Sequence, residues 1–102
     1  MKKVWVNGTF DVVHIGHIKL LEFANSFGSV TVGLDTDERV RSKKGESRPF
    51  NILDDRMDFI SSIRFVDNVV CFGSDDELIE QIKTYEPDIM VIGGEYRYKE
   101  IM

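Results

Sequence analysis

The chain has 102 residues, of which 42% are hydrophobic, and carries a formal net charge of −5. That length describes one domain at the low end of comfortable size, and the acidic balance argues against general nucleic-acid binding. No stretch approaches the ~20 apolar residues of a membrane span. Lys2 and Lys3 pass straight into a strand pattern rather than a secretory leader, and the single cysteine, Cys71, cannot close an internal disulfide.

Val4, Trp5 and Val6 begin a buried strand over residues 4–7. Residues 8–17, Gly-Thr-Phe-Asp-Val-Val-His-Ile-Gly-His, lead from it into a helix over residues 15–27, which Gly28 is expected to end. Residues 30–34 read as the second strand and residues 35–41 as a short helix. Residues 42–51 form the main loop, which Pro49 keeps from being helical. Leu53, Met57, Ile60 and Arg64 recur at helical spacing and, with Phe59, Ile63 and Val66, predict a third helix with an apolar face. Residues 68–72 are the third strand, and Cys71 within it reads as a buried, inert thiol. Ser74 and Glu77 have capping-box spacing ahead of a helix whose apolar face is Leu78, Ile79, Ile82 and Tyr85, and Pro87 stops it. Residues 89–92 are the fourth strand, and Gly93-Gly94 is the turn at its end. Strands alternating with helices predict parallel βαβ units, hence one α/β domain over residues 1–102, with Trp5, Phe23 and Phe65 in its core.

Ligands of an open parallel sheet sit beyond the carboxyl ends of its strands. Residues 8–11, 35–37 and 93–96 follow the first, second and fourth strands, so they collect at one edge. A glycine turn lets backbone approach a ligand closely, and a helix N-terminus offers unpaired N–H groups and partial positive charge suited to phosphate. His14 and His17 are three apart and share a helix face, with Gly16 leaving the path to the phosphates clear. Reaction at the α-phosphorus of a nucleoside triphosphate needs positioning and charge neutralisation more than a protein nucleophile; imidazole N–H groups can donate to the phosphoryl oxygens, and histidinium would add charge. The competing reading makes His14 a helix cap and His17 an ordinary surface or core histidine. Arg39, Arg41, Lys43, Lys44 and Arg48 form a basic stretch, either a solvated loop or a mobile arm that closes over triphosphate.

Gly8-Thr9-Phe10-Asp11 with His14-Ile15-Gly16-His17 resembles the signature of the cytidylyltransferase-like nucleotidyltransferases, whose HxGH element also occurs in class I aminoacyl-tRNA synthetases. Lys44-Gly45-Glu46-Ser47-Arg48-Pro49-Phe50-Asn51, Asp55-Arg56-Met57, Val66-Asp67-Asn68-Val69-Val70, Pro87-Asp88 and Gly93-Gly94-Glu95-Tyr96 follow in order. The series is most similar to the nucleotidyltransferase domains of bacterial ADP-heptose synthases, which adenylylate a heptose 1-phosphate. Glycerol-3-phosphate cytidylyltransferases are next, sharing stretches that match Ile18 to Glu22 and Ile63 to Asp67.

This resemblance, which covers almost the whole chain, implies a Rossmann-like open parallel sheet of about four strands flanked by helices. The next strand of those families, and a last helix opened by Ser-Thr-Thr, are expected to be lacking, which would leave one sheet edge for a second subunit to cover. It implies transfer of a nucleoside monophosphate from ATP or CTP to a phosphorylated sugar or polyol, with release of pyrophosphate. A nucleotide-binding module with weak turnover and an adenylyltransferase of cofactor synthesis are the alternatives. The segment from Gly45 to Pro49 favours the sugar-phosphate branch.

Carried over residue by residue, the resemblance makes His14, His17 and Lys44 catalytic. Gly8, Thr9, Phe10, Asp11, Gly16 and Arg56 become nucleotide or phosphate contacts, and Gly93, Gly94, Glu95 and Tyr96 the base pocket. Asp11 would hold a Mg²⁺–triphosphate or orient His17, and Lys43 could substitute for Lys44. Asp35, Arg48 and Arg64 are substrate contacts. Mg²⁺ would arrive with the nucleotide, without a dedicated protein site. The implied setting is a cytoplasmic homodimer with no nucleic-acid or membrane partner.

Overall fold

The computed structural model describes residues 1–92 and 97–100. In chain order the elements are β1 (Lys2–Gly8), α1 (Ile15–Asn25), β2 (Gly28–Asp35), α2 (Asp37–Lys44), α3 (Leu53–Ser61), β3 (Asn68–Phe72), α4 (Asp75–Tyr85), β4 (Ile89–Ile92) and β5 (Arg97–Glu100). They build one sheet in the order β3-β2-β1-β4-β5. The first four strands in sequence are parallel, as expected of βαβ units. β5 adds an antiparallel fifth strand against β4, so the outer edge of β4 is paired rather than left open.

Val4, Trp5 and Val6 are buried in succession, and so are Val30 through Asp35 of β2. Consecutive burial marks strands covered on both faces, as parallel sheets require. Leu20, Leu21 and Ala24 of α1 and Ile60 of α3 pack on these strands, with Phe23 and Phe65 partly buried beside them. Trp5 is 1% exposed, and its indole N–H donates to Asn7 Oδ1 at 3.0 Å. α4 is the outlying element: it buries no residue fully, Ile79 of its apolar stripe is exposed, and Tyr85 fixes its end against Trp5 and the Ser29 carbonyl.

Several element boundaries differ from expectation, and three of them have a plain physical cause. Gly28 opens β2 instead of closing α1, because a Cβ there would strike the Lys2 carbonyl across the β1–β2 pair. α2 runs on through Lys43 and Lys44, since nothing breaks a helix before Gly45. Asp37 and Glu38 in its first turn and Arg41, Lys43 and Lys44 in its last complement the helix dipole. α3 stops at Ser61, and Ser62 caps it with N–H bonds to Asp58 and Phe59 carbonyls. Arg64 therefore lies in the connection to β3. No helix among the described residues is long and apolar enough to cross a membrane.

Register places Gly8 beside Leu34, and Asp35 beside Phe72. The ends of β1, β2 and β3 thus share one edge. The N-caps Thr36 of α2 and Ser74 of α4 follow those ends within two residues, and His14 of α1 follows Gly8 after the turn over residues 9–13.

Candidate active site at the head of the first helix

Past Gly8 the chain turns through Thr9 and Phe10. Phe10 has φ of 49°, a left-handed conformation uncommon for a bulky side chain. Burial holds it there: Phe10 is 6% exposed and its ring centroid lies 5.3 Å from that of His17.

His14 is the N-cap of α1. Its Nδ1 accepts the Gly16 N–H at 2.9 Å, and His17 Nδ1 accepts the His14 N–H at 3.0 Å. The two rings stand 4.2 Å apart, centroid to centroid. A ring nitrogen that accepts a hydrogen bond carries no proton, so each neutral imidazole is fixed as the Nε2–H tautomer. Capping and donation are then two edges of the same ring, and the reading of His14 as a cap describes one of them. Burial, with the His14 charge second, holds the His17 pKa below the usual 6.5.

Gly16 has a steric reason beyond an open phosphate path. A Cβ there would lie 2.6 Å from His14 Cε1 and 2.9 Å from its Nδ1. Gly16→Ala should push the His14 ring off the helix end and lower turnover by about tenfold or more, because reacting groups tolerate little misplacement. The His14 ring ¹⁵N shifts should leave the Nε2–H pattern. Unchanged shifts with unchanged turnover would remove this role for glycine.

Asp11 is 8% exposed, and both of its oxygens are engaged. They accept the Phe50 and Asn51 N–H groups, each at 2.8 Å. Burial pushes the Asp11 carboxyl up, but those two bonds, followed by the Arg56 and Arg48 charges, outweigh it and leave the pKa below 3.8. The carboxylate therefore clamps the 50–51 turn, whereas His17 is oriented by the His14 backbone. Asn51 completes the clamp by donating Nδ2–H to the Asp11 carbonyl.

Arg56 is also placed otherwise than the resemblance implied. It is 1% exposed. Its Nε donates to the Asn51 carbonyl at 3.0 Å, Nη1 to the Thr9 and Asp35 carbonyls at 3.0 and 2.8 Å, and Nη2 to Asp37 Oδ1 at 2.7 Å. A guanidinium has five donors, and these bonds use four of them. Arg56 ties the ends of β1 and β2 together.

Asp35 holds Arg39, whose Nε donates to Oδ2 at 3.0 Å while Nη2 reaches Asp75 at 2.6 Å. Arg48 is half-buried and stacks 4.4 Å from the Phe50 ring centroid, near Asp11. Lys43 and Lys44 are the exposed last turn of α2, not part of a loop. Arg64 is exposed before β3, on the side where that strand begins, and is not brought to this edge. Gly93, Gly94, Glu95 and Tyr96 lie outside the described residues. Beside the 8–13 turn is a cavity of about 310 Å³, walled by Phe10, Val13, Asn51, Asp55 and Phe59. Asn51, Asp37 and Asp55 stood in stretches singled out above but received no role of their own; Asn51 and Asp37 meet Asp11 and Arg56 only across distant parts of the chain.

The Cytidylyltransferase-like family model matches residues 5–101, nearly the whole chain. The chain belongs to the cytidylyltransferase-like family. Similar relatives include the bifunctional protein HldE of Sulfurimonas denitrificans, 46% identical over 99% of this chain and 21% of that protein. The bifunctional protein HldE of Aliarcobacter butzleri is 44% identical over the same shares, 99% and 21%. The chain thus spans about a fifth of the length of these relatives. Among solved structures, a lipopolysaccharide core biosynthesis protein from Thermoplasma volcanium superposes with a TM-score of 0.77 at 26% identity, over 88% of this chain and 72% of that one.

A resident metal in this cytidylyltransferase-like domain would need free carboxylates at the edge. Asp11 and Asp35 are both engaged, and no group of three or more His, Cys, Asp or Glu suited to a metal occurs among the described residues. These residues do not fit a protein-held Mg²⁺.

Proposed function

We propose that the domain transfers a nucleotidyl group from a nucleoside triphosphate, ATP or CTP, to a phosphorylated sugar or polyol of the heptose 1-phosphate or glycerol 3-phosphate type. An oxygen of the acceptor phosphate attacks the α-phosphorus, the bond to the bridging oxygen of the β-phosphate breaks, and pyrophosphate leaves. The observation that carries this reading is the pair of imidazoles held by their Nδ1 atoms at a helix N-terminus. Each presents a preset Nε2–H to the charge that builds on the phosphoryl oxygens, and a preset donor needs no reorganisation during reaction. The helix end supplies further N–H groups and partial positive charge. Mg²⁺ belongs to the nucleotide substrate, shielding its phosphates.

The sugar-phosphate branch is supported by likeness to proteins named HldE and to a lipopolysaccharide core biosynthesis protein. Within it, the 310 Å³ cavity offers the acceptor aromatic walls and the Asp55 and Asn51 side chains, at the small end of ligand pockets, roughly 300–1,000 Å³. Lys43, Lys44 and Arg48 are cations available to the triphosphate. The test is pyrophosphate release across ATP and CTP paired with heptose 1-phosphate, glycerol 3-phosphate and pantetheine phosphate. Release with a sugar or polyol phosphate is expected. Release only with pantetheine phosphate, or nucleotide binding with no release from any pair, would overturn the assignment.

A further inference from the structure

The turn between β1 and α1 is held from beneath by two side chains outside it. Arg56 donates to the Thr9 carbonyl at 3.0 Å, and Asn51 donates to the Asp11 carbonyl. A trans peptide is planar, so the carbonyl of one residue and the N–H of the next point in opposite directions. Pinning the Thr9 carbonyl toward Arg56 therefore turns the Phe10 N–H away from Arg56. Pinning the Asp11 carbonyl toward Asn51 turns the Val12 N–H away from Asn51. Phe10 is locked further by its buried ring and positive φ.

Asn51 is itself immobilised. Its N–H goes to Asp11 Oδ1, its carbonyl to Arg56 Nε, and its side-chain amide to the Asp11 carbonyl. Arg56 is fixed in turn by the Asp35 carbonyl and Asp37. A rigid support outside the turn can set its peptide planes before any ligand arrives.

We infer that Asn51, braced by Arg56, is a positioning residue that presents the Val12 N–H group to the triphosphate, beside the Phe10 N–H that Arg56 sets. This rests on the nucleotidyl-transfer reading for its kinetic consequence, but not for its binding consequence. Asn51→Ala deletes the amide that pins Asp11 and leaves the backbone bonds of residue 51 in place. Asn51→Asp keeps the shape but sets an acceptor against the Asp11 carbonyl.

The experiment uses the full chain with Mg–ATP and Mg–CTP. In the native chain, amide ¹⁵N–¹H resonances of Phe10 and Val12 should shift strongly on saturation with the nucleotide that binds. In Asn51→Ala the Val12 shift should shrink while those of Phe10, set by Arg56, and of the α1 amides remain. Where pyrophosphate is released, kcat should fall about tenfold or more in both variants, with the nucleotide KM within about threefold and melting unchanged, as expected of lost preorganisation. Native Phe10 and Val12 amides that do not respond to bound nucleotide would overturn the inference. So would a native kcat in Asn51→Ala. A native chain that releases no pyrophosphate, yet shows the Val12 shift and its loss in Asn51→Ala, would overturn the catalytic reading and leave the positioning role supported.

Discussion

Replacing His17 with alanine should lower turnover by about 10²–10³, the usual effect of removing one preorganised transition-state donor. Alanine also removes the acceptor for the His14 N–H, so a loss of about 1 kcal/mol of stability should accompany it. His17→Asn separates the two effects. A short amide can still accept the capping bond, but it does not extend to where Nε2 stood. Melting of His17→Asn should lie near native while turnover stays low, and His14→Asn should behave likewise. Asparagine variants within a few-fold of native kcat would show that the ring edges beyond the caps do no chemistry.

The same geometry sets the pH response. Protonating His17 at Nδ1 would break the capping bond as well as change the ring charge. Its pKa is held below 6.5 by burial first and His14 second, so the neutral, capping form predominates above that value. As pH falls through the lowered pKa, the cap and activity should be lost together. The acid limb of the kcat/KM profile, which reports the free protein, should therefore lie below pH 6.5. A limb above 6.5 that disappears in His17→Asn would contradict this placement.

The second large effect is on stability. Arg56→Leu should cost about 3–5 kcal/mol, because it leaves three carbonyls and the Asp37 carboxylate without their shared cation. In a domain of this length that lowers the melting temperature by more than about 10 °C. Arg56→Lys keeps the charge but not the planar fork, and should recover only part of the loss. A surface arginine that touches phosphate alone would show the opposite pattern, with melting intact and nucleotide affinity reduced. Thermal melts of the two variants with and without nucleotide distinguish these.

Much of the edge was legible because local spacing encodes it. His14 and His17 with Gly16 between them, the run into α1, and the Ser74 cap all follow from residues within one or two turns of each other. The clamp was not legible, since Asp11 and the 50–51 turn meet across about 40 residues. Arg56 stood between those cases. It lies three after Leu53 and four before Ile60, on the apolar face of α3, and an arginine at such a position is buried only with partners. That spacing was a usable signal, but motif matching directed it to a phosphate instead. The reach of α2 through Lys44 follows from charges that complement its dipole, a preference that a loop reading based on Pro49 overrode. Gly28 looked like a helix stop because a glycine after an apolar helix usually is one. Its true constraint, the Lys2 carbonyl on the neighbouring strand, is a contact between distant residues.

The strand order also dictates when the site can exist during synthesis. β1 is made first, yet its two neighbours are β2 and β4. On the β4 side, Lys3 and Asp88 exchange two hydrogen bonds across 85 residues of chain. Until that partner emerges, one edge of the strand that carries Gly8 is unpaired, with Val4 and Val6 close to it. A ribosome adding roughly 5–20 residues per second leaves that edge open for several seconds. The imidazole pair can cap α1 early, from contacts three residues apart. The sheet beneath it closes only once β4 has been made, and such a long closure makes for slow folding.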